Sequence, residues 1–372
     1  MAQRIVRRFF LGLGLLAHTS LAALRVVSFN IHGWRDEAHQ DNLEGLICLL
    51  QSLQPDVLCL NEVLHPFNAP AASDPYWQAV RERRGYGYLL PASSRPLEDS
   101  QHNYLRRLAD ALEMPHVAFG AAVGTEDEPV PFRRSFFGQL PFGNAILARH
   151  ELIDIKHAVL RVGPSDIEDA RRLGGQQRTS DDLEDRAVTT ARVVLPDGGG
   201  CLGVCVTHLD HKAEPLRERQ IREVVHCCQE AFGDGVPHII CGDLNSFDKR
   251  DMSEEQWSAI EALYEQRAWT PPPPPDSLVQ RVLKGAAYTD SFAAQIDGGG
   301  GAAGGGHEQG CLPPRTCWTN TRLDYIWLSS SATGGPAALR VLAHRTIESG
   351  VSDHLPIVCD VQLANVVTSS RR

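Results

Sequence analysis

Short apolar runs recur between residues 24 and 363, and several of them end in an amide, a carboxylate or an imidazole. The run in PDVLCLNEV shows no alternating polar face, so it reads as a strand covered on both sides. The run before it, LRVVSFN, is also a strand. Between them DNLEGLICLLQSL places Leu43, Leu46, Ile47, Leu50 and Leu53 on one helical face before Pro55 stops the helix. Strand, helix and strand in so short a space form a βαβ unit with a right-handed crossover.

Further strands are legible in HVAFGAAV, NAILARH, AVTTARVVL, CLGVCVTHL, VPHIICGDL, RLDYIWLS, LRVLAHRTI and HLPIVCDVQL. A long helix is expected over 213–232, with Pro215 in its first turn, where a missing N–H does no harm. Two packed sheets with flanking helices account for this many strands better than one doubly wound sheet. The pentaproline at 271–275 and the glycine-rich stretch at 298–306 read as spacers inserted into a single domain. The expected organisation is a targeting segment over 1–23, one domain over 24–365 with insertions near 265–315, and a tail over 366–372.

The chain has 372 residues, 42% of them hydrophobic and 22% charged, which is the composition of a folded globular protein. A formal charge of −10 disfavours a broad phosphate-tracking basic face and suits a protein that gathers divalent cations. Ten cysteines are present, but Cys59, Cys205, Cys241 and Cys359 lie inside apolar runs, where free buried thiols are common. The first residues carry Arg4, Arg7 and Arg8, then a short apolar run, and no acid before Asp36. That pattern fits secretory or organellar (mitochondrial) targeting, and the run is short for a bilayer span.

The polar strand ends carry the chemistry. SFN ends on Asn30, LCLNE on Glu62, VTHLDH includes His208, CGDLN ends on Asp243 and Asn245, RLDYI holds Asp324, and SDHLPI opens on Asp353 and His354. Any one of these is as well explained by a turn or a solvent-facing acid. Together they suit metal-assisted attack of water on a phosphate ester. Glu62 and Asp353 are hard oxygen ligands for Mg²⁺ or Mn²⁺. Asp243 orients or deprotonates water, Asn245 donates to the phosphate, and His208 and His354 donate to its oxygens or act as base. Asp324 is the expected partner that fixes the His354 ring. Alternation along SFNIHGW puts His32 on the Asn30 side, where it reaches the same cleft.

The motifs of other hydrolases are missing: the sequence has no G-x-S-x-G, no G-x-x-x-x-G-K-[ST] and no H-E-x-x-H. The ordered series SFNIHGW, LCLNEV, GNAIL, THLDH, CGDLNSF, RLDYIW and SDHLPI resembles the endonuclease/exonuclease/phosphatase superfamily, over nearly the whole chain. The resemblance implies a DNase I-like, four-layer α/β/β/α sandwich of two mixed sheets with the site at one edge. It further implies Asn30 on the metal and phosphate side, Glu62 as principal metal ligand, His208 on phosphate, and the Asp243–Asn245 pair at the reaction centre. Asp353 and His354 match the terminal metal-ligand and catalytic pair, with Asp324 as the partner of the histidine.

The activity implied is a Mg²⁺-dependent phosphodiesterase or nuclease. The alternatives are a sphingomyelinase-like or inositol-phosphate phosphoesterase, or a phosphate-binding module without turnover. TCWTNTRLDYIW departs from the PAWCDRILW-like block of 5-phosphatases. Trp318 is available to stack on a base or cover a lipid headgroup, and Arg133 and Arg134 to meet a second phosphate. The partner expected is the phosphoester substrate, of undecided class. No protein partner is called for, and a monomer is expected.

Overall fold

The computed structural model describes residues 23–65, 87–90, 104–123, 142–174, 185–196, 200–267, 272–297, 312–330 and 339–363. Residues 1–22 of the expected targeting segment, the glycine-rich insertion and the tail lie outside the described residues, as do Arg133 and Arg134.

The strands are β1 (Ala23–Asn30), β2 (Val57–Leu64), β3 (Gly87–Leu90), β4 (His116–Val123), β5 (Phe142–Ala148), β6 (Leu152–Leu160), β7 (Arg186–Val194), β8 (Cys201–His208), β9 (His238–Asp243), β10 (Tyr288–Asp290), β11 (Asp324–Ser329), β12 (Leu339–Thr346) and β13 (Ile357–Leu363). They form a seven-stranded sheet, β12-β13-β1-β2-β5-β4-β3, and a six-stranded sheet, β10-β11-β9-β8-β7-β6. In each sheet one central pair is parallel, β1 with β2 and β8 with β9. The other pairs are antiparallel. Both sheets are thus mixed.

Three apolar layers stack through the molecule. Val26, Cys59 and Ile146 of the first sheet pack on Val204, Ile239 and Cys241 of the second, which closes the sandwich. Val27, Phe29 and Leu60 face the other way, onto Leu46 and Leu50 of helix Leu43–Leu53 and Leu105 and Leu108 of helix Tyr104–Ala111. Cys205, Ile240 and Trp327 face out from the second sheet onto Ile221 and Val224 of helix Glu214–Phe232 and Leu283 of helix Leu278–Gly285. Helix, sheet, sheet and helix are the four layers read from the sequence. Each central strand buries both faces, as its unbroken apolar run requires.

The helix ends follow local chemistry. Helix Leu43–Leu53 stops at Gln54, which is left-handed (φ 50°) directly before Pro55. A residue before proline is disfavoured in the helical region, so the helix cannot continue. Helix Glu214–Phe232 carries Pro at its start and ends at Gly233 with φ 60°. Among the described residues no helix is long and apolar enough to cross a membrane, and the described cysteines are free.

Three strands were not legible: β3, β6 and β10. In β6 the sequence LIDIKHAVL interrupts its apolar residues with Asp154, Lys156 and His157, as suits an edge strand with one solvated face. β10 is only YTD. The last strand begins at Ile357, after Pro356, which has no N–H to give a ladder. His354 therefore precedes the strand, in an isolated bridge to Cys317.

Candidate active site

The site begins where β1 and β2 end side by side. Leu24 and Val26 point between the sheets, so by the two-residue period Asn30 lies at the mouth of the sandwich. Its Nδ2 donates to Glu62 Oε1 at 3.1 Å and to Asp243 Oδ2 at 3.0 Å, and so joins the two sheets. Its Oδ1 accepts from the backbone N–H of His32 at 3.0 Å. In this structure the amide orients both carboxylates.

Glu62 reaches the cleft through a break in its strand. The β2–β5 register shifts between Leu60 and Val63, and Glu62 has φ 57°. A non-glycine residue held there costs on the order of 1–3 kcal/mol, a cost typical of functional positions. The bulge turns Glu62 out of the apolar alternation. His32 also departs from the strand: β1 stops at Asn30, and His32 is left-handed with φ 52°. It still lines the cleft, with Nδ1 3.7 Å from Asp353 Oδ1, but the loop places it there rather than strand alternation.

Asp243 ends β9. Gly242 before it has φ 137°, and a Cβ there would sit 1.9 Å from the Thr207 carbonyl oxygen. Only glycine fits. The Asp243 N–H donates to Asn61 Oδ1 at 2.9 Å. Asn61 in turn donates to Asn144 Oδ1 and to the Thr207 carbonyl, each at 2.9 Å, and Asn144 donates to the Ala187 carbonyl at 3.0 Å. This chain of buried amides runs across both sheets beneath the site. Sequence reading assigned neither asparagine, although both stand inside quoted motifs, and the signal was an amide within an apolar strand.

The 208–214 and 243–248 turns carry the next groups. Asn245 donates from its N–H to Asp243 Oδ1 at 2.9 Å, and its side-chain amide lies 2.9 Å from His208 Nε2. His208 Nε2 is 3.4 Å from Asp243 Oδ2. Arg186, which sequence reading also missed, sits at the start of β7 with Nη1 3.3 Å from His208 Nδ1 and Nη2 3.4 Å from His211 Nδ1. Behind these turns, buried Glu214 accepts from the Ser246 hydroxyl at 3.0 Å, from Leu278 N at 2.8 Å and from Arg217 Nε at 2.7 Å. Arg217 also donates to the Asp210 carbonyl at 3.0 Å, so one ion pair holds both turns.

On the far side, His354 Nδ1 lies 2.8 Å from Asp324 Oδ2, and its Nε2 is 3.7 Å from Asp243 Oδ2. Burial works against the imidazolium, but Cys317, Asp324 and Asp243 face it and hold its pKa well above the ordinary histidine range. Burial raises Asp243 to about 7, with Asp324 pushing the same way and His354 opposing. Burial, and then the nearby Asp353, also raise Glu62.

The donor set fits a divalent cation. Glu62 and Asp353 are neighbouring carboxylates, and the Asp353 charge opposes ionisation of Glu62, as at a site that binds hard cations. Asp243, Asp324 and His354 also have ligand atoms within 4.8 Å of one another. Two of those atoms, Asp324 Oδ2 and His354 Nδ1, are already hydrogen-bonded to each other at 2.8 Å. The structure thus brings Asn30, Glu62, His208, Asp243, Asn245, Asp324, Asp353, His354 and His32 to one mouth. Trp318 is on its rim, half exposed at 49%. Arg134 lies outside the described residues.

The comparisons agree with this architecture. The model of the Endonuclease/Exonuclease/phosphatase family matches residues 27–354, and the chain belongs to that family of nuclease- and phosphatase-type phosphoesterases. Among solved structures, an endonuclease/exonuclease/phosphatase from Beutenbergia cavernae DSM 12333 is 19% identical, with 92% of this chain and 72% of that chain covered and a TM-score of 0.57. One from Leptotrichia buccalis C-1013-b is 15% identical, covering 92% and 100%, with a TM-score of 0.52. Another, from Bacteroides vulgatus, is 13% identical, covering 92% and 100%, also with a TM-score of 0.52. These likenesses show the DNase I-like fold. No curated protein matches the sequence.

Proposed function

We propose that this chain hydrolyses phosphodiester bonds by attack of water on phosphorus, with a divalent cation held by Glu62 and Asp353. One observation carries the reading. The Asp243 carboxylate lies 3.0 Å from Asn30 Nδ2, 3.4 Å from His208 Nε2 and 3.7 Å from His354 Nε2, where four chain segments converge.

Asp243 is the general base, because it faces both imidazoles and burial raises its pKa to about 7. It takes the proton of the attacking water. Asn245 and His208 donate to a phosphoryl oxygen without adding a full charge, and Arg186 behind His208 raises the local positive potential. His354, kept as an imidazolium by Asp324, donates to the oxygens on which charge develops. Glu62 and Asp353 would hold a Mg²⁺ or Mn²⁺, which would supply Lewis-acid withdrawal of charge from phosphoryl and leaving oxygens. Asn30 fixes the spacing between the cation-side and base-side carboxylates.

The test is hydrolysis of bis-p-nitrophenyl phosphate, single- and double-stranded DNA, RNA and sphingomyelin with Mg²⁺ or Mn²⁺, beside a Glu62→Gln control. Turnover that needs the cation and falls by at least about 10²-fold in the control supports the reading. Equal background rates for both proteins on every substrate contradict it.

A further inference from the structure

The cleft has an aromatic and aliphatic side that the chemistry above does not use. It holds about 370 Å³, in the range of a site for a small molecule. Besides the imidazoles and Arg186, its lining includes Phe247, Ile260, Leu263, Tyr264 and Trp318. Phe247, Leu263 and Tyr264 pack on Met252, Trp257 and Ile260 of a small separate core. That core is carried by helix Glu254–Gln266, whose Ser253 and Gln256 form a complete capping box. One wall is therefore rigid.

Trp318 lines the same cleft. Its side chain is 49% exposed, whereas tryptophan is usually well buried. Its backbone is firmly held. Trp318 N donates to the Asp353 carbonyl at 2.9 Å, Cys317 bridges to His354, and Asn320 N closes the turn onto the Cys317 carbonyl at 3.0 Å. An indole is thus presented to solvent on a turn strapped to the segment that bears the catalytic histidine. The fixed backbone lowers the ordering cost of a contact between this ring and a planar ligand.

Two other occupants fit less well. Among the described residues the exposed large hydrophobics are Leu312, Trp318 and Leu342, and Trp318 is the one of the three that lines this cleft, so it is not ringed by an apolar, membrane-seating surface. A long polyanion calls for a basic track. The described lining contributes one arginine, Arg186, in a chain of formal charge −10.

We infer that Trp318 and the Phe247–Tyr264 wall form a subsite for a nucleobase, so the substrates are nucleotide-sized phosphoesters rather than lipids or long polymers. This rests on the phosphoesterase reading and adds the substrate class to it. Stacking of one base on an aromatic side chain is worth enough for roughly tenfold or more in affinity.

The test compares two chromogenic diesters with the same leaving group, thymidine 5′-monophosphate p-nitrophenyl ester and methyl p-nitrophenyl phosphate, on the full chain with Mg²⁺. The ratio of their kcat/KM values is expected to favour the nucleotide, to fall about tenfold in Trp318→Ala, chiefly through KM, and to return in Trp318→Phe. A ratio that Trp318→Ala leaves unchanged overturns the subsite. Calorimetric titration with adenosine 5′-monophosphate and ribose 5-phosphate supplies a readout independent of turnover. About tenfold tighter binding of the nucleotide, lost in Trp318→Ala, upholds the subsite even if neither ester is hydrolysed, in which case the phosphoesterase reading alone fails. Equal affinities for the two phosphates, or retention on phosphatidylcholine vesicles in place of nucleotide binding, overturn it.

Discussion

Asp324 and His354 form the shortest contact among Asp243, Asp324 and His354, with Oδ2 and Nδ1 2.8 Å apart, and the other ring nitrogen faces Asp243 at 3.7 Å. The pair fixes the ring's orientation and its charge. In Asp324→Asn the amide cannot favour the imidazolium, while burial continues to oppose it, so the His354 pKa falls. We expect kcat/KM to drop by about 10²-fold or more, and the high-pH limb of the pH–rate profile to move to lower pH. A lower rate with an unmoved limb would leave Asp324 with a packing role.

Asp243 links activity to stability. Its pKa in the fold, about 7, lies above the ordinary 3.8, so between those values the folded chain binds the extra proton. The associated stability is fully present below 3.8 and is lost as pH rises through about 7. The base role proposed for Asp243 needs the opposite state, so kcat/KM is expected to rise with pH through the same region. Asp243→Asn is expected to raise Tm above that of the wild type on the alkaline side and to abolish turnover, measured by calorimetry and initial rates.

His157 should govern acid stability. Its Nε2–H donates to the Ala121 carbonyl at 3.0 Å, and its Nδ1 lies 3.1 Å from Thr189 Oγ1. Burial lowers its pKa from 6.5 to about 4. The unfolded chain takes up a proton below 6.5 that the fold refuses until about 4. The contribution is therefore full above 6.5 and lost as pH falls through about 4. At about pH 5 the loss from this residue is on the order of 2 kcal/mol, and urea midpoints of wild type and His157→Gln should converge there.

The Glu214–Arg217 pair clamps the turns that bear His208 and Asn245. Arg217→Ala leaves Glu214 buried without its cation, a change that costs about 3–5 kcal/mol. The check is urea unfolding together with kcat at a temperature where the variant is folded. A lower kcat is expected there too, because Ser246, next to Asn245, loses a fixed acceptor.

Much of this was legible in the residues. The unbroken apolar run of β2 required burial on both faces, and the polar ends of β1, β2 and β9 gave Asn30, Glu62 and Asp243. What escaped depends on pairing between distant segments. The bulge that turns Glu62 outward exists only in register with β5. Asn61 and Asn144 gain meaning because two sheets meet there. Arg186 reads as one arginine before an apolar strand until β7 pairs with β8 and sets Ala187 beside His208. His32 was expected in the cleft by alternation, and it is there through a left-handed turn instead.

The most direct test is cation-dependent hydrolysis of bis-p-nitrophenyl phosphate by the wild-type chain and by Asp243→Ala, with EDTA and with Mg²⁺ restored. Turnover that disappears with EDTA, returns with Mg²⁺ and drops by about 10²–10⁴-fold in Asp243→Ala is the expected result. Turnover that persists in Asp243→Ala at the wild-type rate, or is indifferent to the cation, contradicts a metal-assisted reaction centred on Asp243.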